Sequence, residues 1–135
     1  MSEDENVKVV QGLFEAFGRG DVPAMLEGLS DDVSWRILGT AGVPYYGEHT
    51  GRAGVTDFFG KLGSNVEFEH FEPREFISQG DKVVVLGGER GRVKPTGRGF
   101  EQEWAMVFTV SGGKIKSFRC YEDTEAVSGA FRPQE

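Results

Sequence analysis

Apolar residues recur every three or four positions near the start of the chain. Val9, Val10, Leu13, Phe14 and Phe17 form one stripe and predict a helix over 6–18. The GRGD segment at 18–21 ends it with glycines, offers Asp21 as the cap of a second helix over 22–29, and puts Pro23 in that helix's first turn. Val22, Met25, Leu26 and Leu29 then turn inward. The period changes at VSWRIL (33–38), whose alternation puts Val33, Trp35 and Ile37 on one face of a strand. GTAGVPYYGEHTG (39–51) reads as an irregular loop. Thr50 is expected to cap a third helix with Val55, Phe58, Phe59 and Leu62 as its stripe and Gly63 as its stop.

From residue 65 onward alternation dominates. Strands are expected over 65–77, 82–93, 100–110 and 114–122, with turns in SQGD, KPTGRG and SGGK. Phe100, Gln102, Trp104, Met106 and Phe108 share a face of the third. A short helical tail follows over 124–131. Three N-terminal helices followed by a meander predict an α+β fold, with the helices packed on a curved antiparallel β-sheet. Glycines inside strands, Gly87, Gly88 and Gly91, point to strong curvature or a bulge. A curved sheet under a helical lid leaves a cone whose open end can hold a ligand. A single domain is expected over 1–135, with flexible ends at 1–5 and 132–135.

Composition narrows the function. Net charge is −7, which repels phosphate backbones; the only basic group, Arg90, Arg92, Lys94 and Arg98, is broken by Pro95 and Gly97, so no nucleic-acid partner is expected. The single cysteine, Cys120, excludes an internal disulfide. His49 and His70 are too isolated for a metal cluster, and no phosphate-binding glycine loop is present, so neither metal nor cofactor is expected. No apolar run suits a membrane, and the acidic start MSEDEN does not look like a secretory leader, which makes the cytoplasm the expected compartment.

Four segments carry a resemblance to a known family: FEAFGRGDVPAMLEGLSDDVSW (14–35), PYYGEHTGRAGVTDFF (44–59), FEPREFISQGDKVVVLG (71–87) and KIKSFRCYEDTEAV (114–127). The chain resembles the SnoaL-like, ketosteroid-isomerase-related branch of the nuclear transport factor two-like superfamily over nearly its whole length. The resemblance implies a cone-shaped α+β barrel and a homodimer through the sheet. It leaves activity open among isomerases, cyclases, epoxide hydrolases, dehydratases and non-catalytic modules. By resemblance to steroid isomerases, the positions that carry that reaction fall on Leu13, Ile37 and Ala105 or a neighbour, none of which transfers protons, so steroid isomerisation is not expected. By resemblance to limonene-epoxide-hydrolase-like enzymes, the terminal acid falls on Asp123 and the arginine on Arg90, but the second acid falls on Arg92, which cannot act as a base. SnoaL-like cyclases also place an acid/base aspartate at a position similar to Asp123.

Asp123 therefore has two readings: a catalytic carboxylate in the cone, with Arg90 beside it, or the N-cap of the tail helix. Glu89 and Arg90 are adjacent in a strand and face opposite ways unless a bulge intervenes. Trp35, Phe58, Phe59, Trp104 and Met106 are expected in the core and along the pocket, with Glu89, Tyr45 or Tyr46 presenting polar atoms to a ligand. Arg119 and Tyr121 should share the face of Asp123, which makes Tyr121 a further pocket candidate. Glu103, Phe118 and Cys120 are the candidates for a face meeting a second subunit. Two functions survive: a cofactor-independent acid–base enzyme acting on a small apolar molecule, and a ligand-binding or dimerisation module of the same shape.

Overall fold

The computed structural model describes residues 2–39 and 42–133. The amphipathic stripe near the N-terminus forms α1 (Glu3–Gly18), which begins three residues earlier than its apolar pattern because Ser2 caps it, accepting from the Glu5 amide at 3.1 Å. Residues 3–5, expected as part of a flexible end, are thus the first helical turn. Glu3 fastens that turn to the sheet, its carboxylate accepting from the Gly80 amide at 2.7 Å. Met1 and 134–135 of the expected flexible ends lie outside the described residues.

Asp21 caps α2 (Val22–Glu27) through the Ala24 amide, as its position before Val22-Pro23 predicts. The chain then enters β1 (Leu29–Ile37) and, within the expected loop, adds a short strand β2 (Gly47–Thr50) that pairs antiparallel with β1. Gly51, at φ +72°, makes the corner into α3 (Gly51–Asn65). Thr50 stands at the N-cap position, but its side chain makes no capping bond, and the helix runs past Gly63. The meander is β3 (Val66–Gln79), β4 (Lys82–Val93), β5 (Gly99–Ser111) and β6 (Lys114–Glu122), followed by α4 (Thr124–Phe131).

The six strands lie in the order β2-β1-β6-β5-β4-β3. All neighbours are antiparallel except β1 and β6, which run parallel, so the expected antiparallel sheet is a mixed one. Local alternation cannot reveal that pairing, because β1 reaches β6 across the whole meander. The sheet stays open, with β2 and β3 as its edges. Its concave face carries Val33, Trp35 and Ile37 from β1, Val83 and Val85 from β4, Trp104, Met106 and Phe108 from β5, and Phe118 and Cys120 from β6, all buried. The helices supply Val10, Leu13, Met25, Val55 and Phe58 against it.

The strand glycines have a packing role. A Cβ at Gly87 would come within 2.6 Å of the Trp104 ring and would also strike the Glu72 carbonyl, so only glycine lets that indole lie flat on β4. The bulges that bend the sheet fall on β3 rather than β4, where the pairing with β4 slips between Phe68 and His70 and again between Pro73 and Glu75. The β4–β5 register runs unbroken from Lys82 to Arg92.

Candidate active site

Strict alternation on β4, β5 and β6 decides which polar side chains enter the cone. On β6, Phe118 and Cys120 face inward, so Glu122 does too, while Arg119, Tyr121 and Asp123 face out. On β4, Val83, Val85 and Glu89 face inward and Arg90 outward. On β5, Gln102 is buried beside Trp104 and lies opposite Glu89 in the register. Two carboxylates from strands β4 and β6 therefore face one cavity, flanking β5.

That cavity, about 70 Å³, lies between the sheet and α1, α2 and α3. Its walls are almost wholly apolar and aromatic: Phe14 and Phe17 from α1, Trp35 from β1, Phe58 and Phe59 from α3, and Phe118 from β6. Trp35 stacks on Phe118 with ring centres 4.0 Å apart. Glu89 and Glu122 also line it, together with Tyr45 from the β1–β2 connection.

Glu122 is held tightly. The Tyr46 hydroxyl donates to its Oε2 at 2.6 Å, and the Cys120 thiol to its Oε1 at 3.6 Å. Tyr46 can reach because its ring lies against Gly39, where any side chain would collide with it. Burial raises the Glu122 pKa, and the bonds from Tyr46, Cys120 and Gln102 oppose that rise. Glu89 is pushed up to about 8, first by burial and then by the charge of Glu122; Gln102 and Trp104 pull it down. Those two donors stand near Glu89 without closing a bond in full geometry: Gln102 Nε2 and Trp104 Nε1 are both buried without a partner. Burial and the Glu122 charge also raise the pKa values of Tyr45 and Tyr46, keeping both as neutral hydroxyls. Burial does the same for the Cys120 thiol.

Two acids in one apolar cavity cannot both ionise cheaply. Hydrogen-bond donors favour the charge on Glu122, which leaves the proton on Glu89. The site thus offers Glu89 as a carboxyl that can give a proton at neutral pH, beside a second acid whose charged form the donors favour.

The candidates named from the sequence divide sharply. Trp35, Tyr45, Phe58, Phe59, Glu89 and Met106 line the cavity. Tyr46 acts on it through Glu122, and Trp104 lies buried beneath it, stacked on Phe71 at 5.2 Å. Tyr121 is 43% exposed on the opposite face of the sheet. Asp123 is exposed and caps α4, accepting from the Ala126 amide at 3.1 Å; it stands outside the cone because β6 reaches it on the outward parity. Arg90 is exposed and pairs across the strand with Glu101, outside as well. Asp123 and Arg90 line a shared surface space outside the cone, and the acids that face the inner cavity are Glu122 and Glu89, each one residue earlier in the chain. Phe118 and Cys120, expected on an outer face, are buried inside. His49 points its Nε2 at the Tyr45 carbonyl at 3.0 Å and packs edge-on against Phe58, bracing the tyrosine loop. Glu122, not among the candidates named from the sequence, carries its own signal there: it shares the parity of Phe118 and Cys120.

A model of the SnoaL-like domain matches residues 10–118. Among solved structures the chain is similar to an NTF2-like protein from Burkholderia xenovorans LB400, at 40% identity over 98% of this chain and 99% of that one, with a TM-score of 0.90. It is similar to an NTF2-like protein from Burkholderia thailandensis E264 at 27% identity, over 98% of this chain and 100% of that one, with a TM-score of 0.87. TerC, co-crystallized with polyporic acid, is 25% identical over 94% of this chain and 98% of that one, with a TM-score of 0.84. None of the curated proteins matches the chain.

Proposed function

Because the chain belongs to the SnoaL-like domain family, we propose that it is a cofactor-independent acid–base catalyst acting on a small apolar ring that carries a carbonyl. The observation behind this reading is the Glu89–Glu122 pair at the polar end of an otherwise aromatic cavity. Glu122, as carboxylate, takes a proton from the carbon next to the carbonyl. The electron pair of that C–H bond forms a carbon–carbon double bond, the carbonyl π pair moves onto oxygen, and Glu89 donates its proton there, giving a neutral enol. Return of the Glu122 proton to a different carbon of the conjugated enol, as Glu89 takes back the O–H proton, completes an isomerisation; attack of the enol carbon on a second carbonyl, with the O–H proton returning to Glu89 and the Glu122 proton going to the new alkoxide, completes a cyclisation. The Tyr46 hydroxyl keeps Glu122 oriented through both steps.

The test uses 2-tetralone, a small neutral ring ketone, in deuterated buffer. Exchange at its acidic carbon, followed by proton NMR, is expected to run well above the buffer rate and to fall by at least 100-fold in Glu122→Gln. Binding of 2-tetralone or polyporic acid without exchange would favour the other reading, a non-catalytic ligand-binding module.

A second copy is proposed on the convex face. Val84, Leu86, Ala105 and Val107 lie half-buried there, adjacent in register, with exposed Tyr121 beside Ala105. Sedimentation should give a dimer for the native chain and a monomer for Val107→Lys; a native monomer would remove this proposal.

A further inference from the structure

Two spaces meet at α1 and β3. The inner one is the cavity of about 70 Å³ that holds the carboxyl pair. The outer one is a groove of about 460 Å³ on the surface between the C-terminal half of α1 and β3. Phe14, Phe17, Phe68 and Phe71 line both, so these four rings stand between the two spaces. The rings touch one another, Phe17 to Phe71 at 4.9 Å and Phe17 to Phe68 at 5.9 Å between centres, and none is fully buried.

This arrangement depends on a bulge. Phe68 and Phe71 are three residues apart and would face opposite sides of a regular strand. The extra residue between Phe68 and His70 resets the parity and turns both rings to the concave side. Glu15, Glu69 and His70 form the polar rim. Arg92 lies 3.9 Å from Glu69 but does not line the groove, so the rim itself is acidic.

The inner cavity has room for little more than a ring, and the apolar walls continue outward into a space several times larger. Resting on the acid–base reading above, we infer that the α1–β3 groove is the second half of the binding site. It receives an uncharged hydrocarbon substituent of the same ring ketone, entering past Phe17, Phe68 and Phe71. The substrate class is then an amphiphile with its carbonyl at Glu89 and Glu122 and an apolar arm reaching the surface. An arm ending in a carboxylate meets Glu15 and Glu69 and is disfavoured.

A series of 2-tetralones carrying hydrogen, propyl, hexyl or carboxypentyl on the distal ring tests this, with affinity read from tryptophan fluorescence, since Trp104 stacks on Phe71. Affinity is expected to rise about fourfold per methylene over the first few carbons, and the carboxypentyl compound should fall at least tenfold below hexyl. Two variants probe the groove from residues that do not line the inner cavity. Gly18 has open space where a side chain would project, so Gly18→Phe should fill the groove and abolish the gain per methylene. Glu15→Lys should raise affinity for the carboxypentyl compound about fivefold or more. Affinity independent of chain length overturns the inference, as does a gain that persists in Gly18→Phe. A change in assembly mass with ligand affinity untouched would also overturn it, by assigning the groove to a second copy. Chain-dependent binding without isotope exchange would keep this inference and remove the acid–base reading; exchange with flat chain dependence would do the reverse. Failure of every compound to bind would remove both.

Discussion

Replacing Glu89 with glutamine isolates a carboxyl whose titration the fold moves past neutrality. Its carboxyl has an ordinary value of 4.5 and is pushed up to about 8 in the fold. Between those values the folded protein keeps a proton that the unfolded chain has released. Folding is therefore favoured by protons, and the contribution of Glu89 is fully present below pH 4.5 and lost as pH rises through 8. Each pH unit in that window is worth about 1.4 kcal/mol, so the ceiling for the whole window is about 5 kcal/mol. The side chain is only partly buried and shares its environment with Glu122, so about 2–4 kcal/mol is the expected loss. Glutamine mimics the protonated carboxyl and cannot ionise. Urea unfolding of both proteins at pH 5, 6, 7, 8 and 9 should show curves that coincide near pH 5 and diverge above it, with Glu89→Gln the more stable at pH 9. Equal pH slopes for the two proteins would mean that Glu89 ionises normally, and the assignment of the neutral acid would collapse.

Tyr46→Phe removes the 2.6 Å bond to Glu122; the Glu122 pKa should rise further, visible in carboxyl carbon-13 shifts, with a stability loss of about 1–2 kcal/mol. Asp123→Ala should cost about 1 kcal/mol through the lost α4 cap, measured by thermal melting, while leaving 2-tetralone exchange intact. Gly87→Ala forces a methyl into the Trp104 ring and the Glu72 carbonyl, and should cost more than about 2 kcal/mol in urea unfolding; a neutral result would mean that β4 can shift.

Most elements were legible because each depends on local periodicity. The stripe of α1, the Asp21 cap and the Phe100–Phe108 alternation all survive in the fold. What failed was parity and long-range pairing. Asp123 is the last acid before a helix, but the apolar pair Phe118 and Cys120 fixes the inward set as even-numbered, and Glu122 belongs to it. The glycines of β4 suggested a bulge there, whereas the extra residues sit in β3, opposite them. The close approach of Trp104 to Gly87 is a cross-strand fact that neither strand announces alone. Tyr46 and Glu122 meet over 76 positions, a distance that no local pattern reports.

The parallel seam between β1 and β6 also bears on how the chain is made. β6 lies between β1 and β5, so it is the strand whose hydrogen bonds join the β1–β2 pair to the meander. A nascent chain emerging from the ribosome can form α1 and the β3–β4–β5 ladder while its N-terminal strands still lack their central neighbour. Glu122 arrives with β6, after every other strand of this sheet. The two acids are thus brought together only when the sheet is completed, and a fragment ending before Lys114 would leave Glu89 and its phenylalanine walls open on one side, a surface for chaperones rather than for substrate.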